Sequence, residues 1–170
     1  MPPMRTDDLD SRELDYWTAR ALARDDLPIA FVALEPALVV TFSNGTAARM
    51  DARFAPSSRW ADATDVLDRL IDVRSARDAH GTLSCVATFD ADGTACAARE
   101  GHGSGPNLRT ALLRAFVRAR FGDEVEAMPG EPHVVRHGKL TRHEQGEPIP
   151  PHGPRDAEPE PNTIGSLPRQ

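Results

Sequence analysis

Nine of the fifteen prolines and four of the six histidines fall in residues 129–170. Proline lacks an amide hydrogen, so runs such as Gly146-Glu147-Pro148-Ile149-Pro150-Pro151 and Glu158-Pro159-Glu160-Pro161 cannot supply regular ladders of backbone hydrogen bonds. The same stretch has almost no apolar periodicity, hence too little apolar surface to offset the entropy lost on ordering. A single α+β domain is therefore expected over residues 1–128, followed by a Pro-rich disordered tail over 129–170. Aromatics are only 5% of the chain, so Ala, Leu and Val have to fill most of the core.

Periodicity assigns the elements of the body. A helix is expected from Ser11 to Arg24, with Leu14, Trp17 and Ala21 on one face and Asp10 and Glu13 forming a capping box at its start. Two β-rich runs follow, at 29–34 and 37–43, parted by Glu35-Pro36 and closed by Asn44-Gly45. Residues 46–56 read either as a short helix or as a strand returning through Arg49 to Phe54. A second helix is expected after Pro56-Ser57-Ser58, with Trp60, Ala63, Leu67, Leu70 and Ile71 on its apolar face. Leu83, Cys85, Ala87 and Phe89 then alternate as in a strand, Asp90-Ala91-Asp92-Gly93 turns, and residues 94–99 return. The glycine-rich run 101–106 reads as a flexible connection. Asn107 caps a third helix over 108–121, which buries Leu108, Leu112, Ala115, Phe116 and Ala119 and ends at Gly122. The fold expected is a small antiparallel sheet of two to four strands packed by three helices, with Trp17, Trp60, Leu67, Leu112 and Phe116 in a shared core. The exposed edges of its hairpins make a homodimer an expectation as well.

Charge and cysteine usage narrow the function classes. Net charge is −6 and pI about 5.5, against the basic balance of a general nucleic-acid binder. No apolar run approaches the roughly 18 residues of a membrane span, and the N-terminal MPPMRTDDLD lacks a secretory pattern, so a cytoplasmic protein is expected. Cys85 and Cys96 are too few for a disulfide framework or a thiolate metal site, and they read as small residues in a reducing compartment.

The best candidate site is the start of the second helix. Ser57 and Ser58 present hydroxyls beside first-turn amides, and Arg53 and Arg59 lie close in sequence, a combination suited to a phosphate or carboxylate. The plainer reading makes the serines caps and the arginines solvated. Arg114 and Arg118, one helical turn apart, could meet an acidic partner or a nucleotide phosphate, or form the wet side of an amphipathic helix. His133 and His137 have a spacing that holds zinc on a helix, but Pro132 and Gly138 flank them, so incidental tail histidines are expected. His80 and His102 bracket the hairpin with no nucleophile placed beside them, and Asp62, Asp65 and Asp68 read as a solvated acidic face. No cofactor and no catalytic set is expected.

Three stretches carry a resemblance. They are Glu13-Leu14-Asp15-Tyr16-Trp17-Thr18-Ala19-Arg20-Ala21, Phe54-Ala55-Pro56-Ser57-Ser58-Arg59-Trp60-Ala61-Asp62, and the run 111–125 from Ala111 through Phe116 and Phe121-Gly122-Asp123-Glu124 to Val125. In order and spacing they resemble the NinX-like family of small proteins from tailed phages and prophages. The resemblance covers most of the body and none of the tail. The chain departs from the family pattern at Arg59, where Asp is usual, and at Asp62, where Gln is usual. The family implies phage or prophage origin and action inside a bacterial host, with no established catalytic activity. Two expectations follow: a non-enzymatic accessory protein that binds a host or phage component, or a small-molecule sponge for a nucleotide-type signal of host defence.

Overall fold

The computed structural model describes residues 3–23, 29–34, 38–43, 48–51, 53–90 and 98–142. Helix α1 (Ser11–Leu22) is the centre of the molecule. Its expected apolar face is buried, but so are Asp15, Tyr16, Thr18 and Ala19 on its other sides. A helix buried nearly all round has neighbours on both flanks. On one flank Trp17 meets Phe121 edge to face at 5.0 Å, at the end of helix α3 (Leu108–Phe121). On the other, Tyr16 packs on Phe31 at 4.6 Å, in strand β2 (Ile29–Ala33). The capping box does not form: the Glu13 and Leu14 amides go to the Asp10 main-chain carbonyl, and the Asp10 side chain makes no cap bond.

Strand β2 pairs with β3 (Val39–Ser43), and β3 with β4 (Ala48–Asp51), so the ambiguous stretch after Asn44-Gly45 contains a strand. The Asn44-Gly45 turn itself lies outside the described residues. The other edge of β2 pairs with β9 (His133–Arg136), which turns into β10 (Lys139–Arg142), giving the antiparallel order β10-β9-β2-β3-β4. Order therefore continues past the boundary expected at Met128. His133 and Val135 alternate inward, and His137 and Gly138 take the positive φ values of a two-residue hairpin turn. Residues 143–170 lie outside the described residues. A two-stranded pair, β1 (Met4–Arg5) with β8 (Glu124–Val125), ties the N-terminus to the end of α3.

The His133 side chain is core. Its Nδ1 faces the Glu131 carbonyl at 2.8 Å, so Nδ1 carries the hydrogen and Nε2 accepts from the Tyr16 hydroxyl at 2.8 Å. Burial lowers the His133 pKa and raises that of Tyr16 to about 12, and both stay neutral near pH 7. Tyr16→Phe leaves that imidazole nitrogen without a donor. It is expected to lower the free energy of unfolding by about 1–2 kcal/mol, read from urea denaturation.

The second helix is much shorter than its periodicity predicts. Residues 54–59 form a turn, Trp60–Ala63 a 3-10 turn, and α2 only Thr64–Leu67. Leu70 and Ile71 belong to strand β5 (Leu70–Arg77), which returns as β6 (Leu83–Asp90) after Asp78 accepts the amides of His80 and Thr82. The spacing of Leu67, Leu70 and Ile71 fits a helix, but Ala63 and Val66 supply the burial while Trp60 and Leu67 stay 43% and 39% exposed.

Strand β6 buries Cys85, Ala87 and Phe89 as expected. Its partner β7 (Ala98–Gly105) runs through the glycine stretch, which is therefore a strand and not a flexible connection. Those glycines let α3 lie directly on the sheet: a Cβ at Gly101 or Gly103 would run into the carbonyl oxygens of Ala115 or Ala111. Phe89 and Phe116 lock this contact edge to face at 5.1 Å. Asn107 caps α3 through the Thr110 amide at 2.9 Å and Gly122 ends it at φ 90°, both as expected, but Leu108 is exposed and not buried. Cys85 is buried and its pKa raised, while Cys96 lies outside the described residues. The architecture is α+β: a three-stranded sheet, α3, α1 and a five-stranded sheet, stacked in that order.

Candidate functional site

The turn at residues 54–62 sits over the middle of α1. Phe54 and Ala55 are buried and anchor its start. The Ser58 and Arg59 amides both return to the Ala55 carbonyl, at 3.1 and 2.9 Å, and the Ser58 hydroxyl adds a bond at 3.2 Å. Beneath it, Asp15 of α1 is 6% exposed and accepts the Ser57 amide at 2.6 Å. Asp62 folds back to accept the Ala55 amide at 2.9 Å. From the start of α3, Arg109 donates to the Ser57 carbonyl at 2.7 Å and lays its guanidinium 5.7 Å from the centre of the Trp60 ring. Two helices, α1 through Asp15 and α3 through Arg109, thus hold one short turn that Asp62 also braces from within, and its largest exposed side chain is Trp60.

Asp15 is held at a cost. Burial raises its pKa to about 6, although the Ser57 hydrogen bonds pull it down; the Asp62 carboxylate adds to the rise and Arg53 opposes it. Asp15 therefore ionises close to neutral pH, against the usual value of 3.8.

The residues singled out from sequence fall into two groups. Arg53, Ser57, Ser58 and Arg59 all lie on the turn or beside it. Arg53 and Arg59 are exposed, and Arg59 pairs with Asp62 at 3.5 Å. The two positions that depart from the family pattern are thus partners of each other. The Ser57 amide and carbonyl are already engaged, by Asp15 and Arg109. Arg114 and Arg118 are fasteners of the fold. Arg114 donates twice to the Leu9 carbonyl, at 2.9 and 2.7 Å, and once to that of Ser104, at 2.6 Å. Arg118 bonds the His102 carbonyl and the Asp7 carboxylate, both at 3.0 Å. Arg114→Lys cannot span both carbonyls with one ammonium, and is expected to cost about 2 kcal/mol in denaturant unfolding.

Asp15, Asp62 and Arg109 join the site only in the structure. For Asp15 a signal existed: it is a carboxylate between Leu14 and Tyr16 on a helix with apolar neighbours. For Arg109 none did, because its role comes from how α3 lies against the turn. His80 and His102 are not joined to each other by any hydrogen bond, and His102 pairs with Glu100 at 3.4 Å on the surface. Among the described residues, no three His, Cys, Asp or Glu side chains gather as a metal site, and no helix is long and apolar enough to cross a membrane.

These features define a small α+β protein with a helix-anchored turn that displays an indole and a guanidinium. Residues 5–120 match the family described as Bacteriophage P22, NinX, and the chain belongs to that family. The match takes in α1, α2, the turn and all but the last residue of α3, and ends before the His133–Arg142 hairpin. No curated protein matches the chain. Family membership points to a phage accessory protein.

Proposed function

We propose that the chain is a non-enzymatic accessory protein that acts in the bacterial host cytoplasm by binding a host or phage protein through the face around Trp60. The observation that carries this reading is Trp60 itself, 43% exposed on a turn held by α1 and α3, with Arg109 against its ring. Trp and Arg are the side chains most enriched among those that dominate binding energy at protein interfaces. A rigid turn presents them with little ordering entropy left to lose on binding. Arg109 beside the ring and the exposed Arg53 supply the positive charge, since Arg59 is paired with Asp62, and favour an acidic group on the partner.

Sequestration of a nucleotide-type signal, the other reading, needs free donors at the Ser57 turn. The Ala55 and Ser57 amides there are taken by carboxylates, which also repel an incoming phosphate. The protein-binding reading is therefore the better supported.

Tagged protein recovered from phage-infected cells, beside Trp60→Ala and Arg109→Ala, tests this. One stoichiometric polypeptide whose affinity falls at least about 30-fold in Trp60→Ala is expected, since truncating such an anchor costs about 2 kcal/mol or more. Folding stability of Trp60→Ala should change little, because the ring is half in solvent. Undiminished binding by both variants, or a retained phosphate-bearing compound in native mass spectrometry, overturns the proposal.

A further inference from the structure

Strand β5 is an edge of the three-stranded sheet, and among the described residues nothing pairs with its outer side. Seven of its eight residues are exposed, including Ile71 at 57% and Val73 at 40%. Long exposed edges of this kind are templates for another strand, and soluble proteins usually shorten, cover or charge them. Among the described residues its protections are a bulge at Ile71 and the side chains of Asp72, Arg74 and Arg77.

The pattern of those charges identifies the occupant. Pairing with β6 places Asp72 and Arg74 opposite Thr88 and Val86 on one face, and Val73 and Ser75 opposite Ala87 and Cys85 on the face toward α3. Two copies of β5 related by a two-fold axis through Val73 would set Asp72 opposite Arg74 of the second copy, twice, with Val73 against Val73. Shifting the register by two residues puts Asp72 against Asp72 or Arg74 against Arg74, and like charges directly opposite are unfavourable. Shifting it by one places outward side chains against inward ones and breaks the continuous face. Arg74 already reaches its own Asp72 at 3.3 Å, so the two-fold would close a ring of four alternating charges. The bulge lies on the far side of Asp72 from this centre and leaves it regular.

We propose that β5 is a homodimer seam, in which two chains pair antiparallel about Val73 to make a six-stranded sheet. One strand from each copy buries little area, so the association is weak and belongs at high micromolar concentration. This surface is separate from the Trp60 turn and does not depend on its role.

Sedimentation equilibrium up to about 500 µM, spanning weak association constants, reads the seam. Dimerisation is expected for the native chain, a loss of at least tenfold in affinity for Asp72→Arg or Arg74→Asp, and recovery in the double charge exchange. Val73→Cys should form an intermolecular disulfide under mild oxidation, above any background from the native cysteines, and Arg77→Cys should not. A monomer throughout the range overturns the proposal, as does a dimer indifferent to both charge reversals.

Discussion

Replacing Gly103 by alanine is expected to lower the free energy of unfolding by about 3 kcal/mol or more, which for a domain of this size threatens folding at 37 °C. The added Cβ would collide with main-chain atoms of α3, at the Ala111 carbonyl and the Ala115 amide, and not with a side chain that could rotate away. Relief requires the helix to lift from β7, which would also part Phe116 from Phe89 and loosen Arg114 from the Ser104 carbonyl. Gly101→Ala meets the Ala115 carbonyl and should behave alike. Gly105→Ala meets mainly the Thr110 side chain, 2.9 Å away, and should cost less. Gly130→Ala has nothing within 4 Å and serves as the control. Guanidinium unfolding of the four variants ranks them; similar midpoints for Gly103→Ala and Gly130→Ala would mean that α3 does not lie so close to the sheet.

Asp15→Asn is expected to do the opposite and stabilise the protein by about 3 kcal/mol at pH 8. The carboxyl of Asp15 ionises near pH 6 in the fold and near 3.8 when unfolded. Between these values the folded state binds more protons, so its stability falls as pH rises, and above pH 6 the full loss of about 3 kcal/mol is reached. Asparagine keeps an oxygen for the Ser57 amide and never ionises, so its advantage should be full at pH 8 and vanish below about pH 4. His133 works in the other sense. Its pKa is lowered by burial, so protonation favours the unfolded chain, and its stabilising share is lost as pH falls below about 6.5. Asp15→Asn should therefore unmask a profile that rises with pH across this window, whereas the native chain shows a flatter one. Equal stability of the two proteins at pH 8 would show that Asp15 is not desolvated. An ionised carboxylate that weakens the fold yet positions the Trp60 turn is the pattern of a stability–function trade-off.

Much of this arrangement was legible in the sequence, and the rest was hidden for identifiable reasons. Helix α1 is legible through periodicity alone, since its expected cap does not form, α3 through periodicity and its Asn107 cap, and β6 through strict alternation. The glycine run of β7 looked like a loop because its purpose, admitting α3, depends on a neighbour distant in sequence from part of it. The His133–Arg142 hairpin is hidden by the surrounding prolines: composition averaged over 129–170 outweighs four residues that alternate in burial, His133–Arg136, and a His137-Gly138 turn. Periodicity overextends α2 because Leu70 and Ile71 fall at helical spacing while serving a strand. At the site, the serine–arginine cluster was visible. What sequence could not supply was that Asp15 and Asp62 already fill the turn's amides, and that Arg114 and Arg118 spend their donors on main-chain carbonyls.

Site-specific photo-crosslinking in infected cells, from a probe replacing Ser58 beside Trp60, addresses the binding face most directly. One discrete crosslinked polypeptide, absent when Trp60 is also alanine and absent when the probe replaces His137 on the remote hairpin, is the expected result. A crosslinking pattern that is the same from both positions, or unchanged by Trp60→Ala, would contradict a binding face centred on that turn.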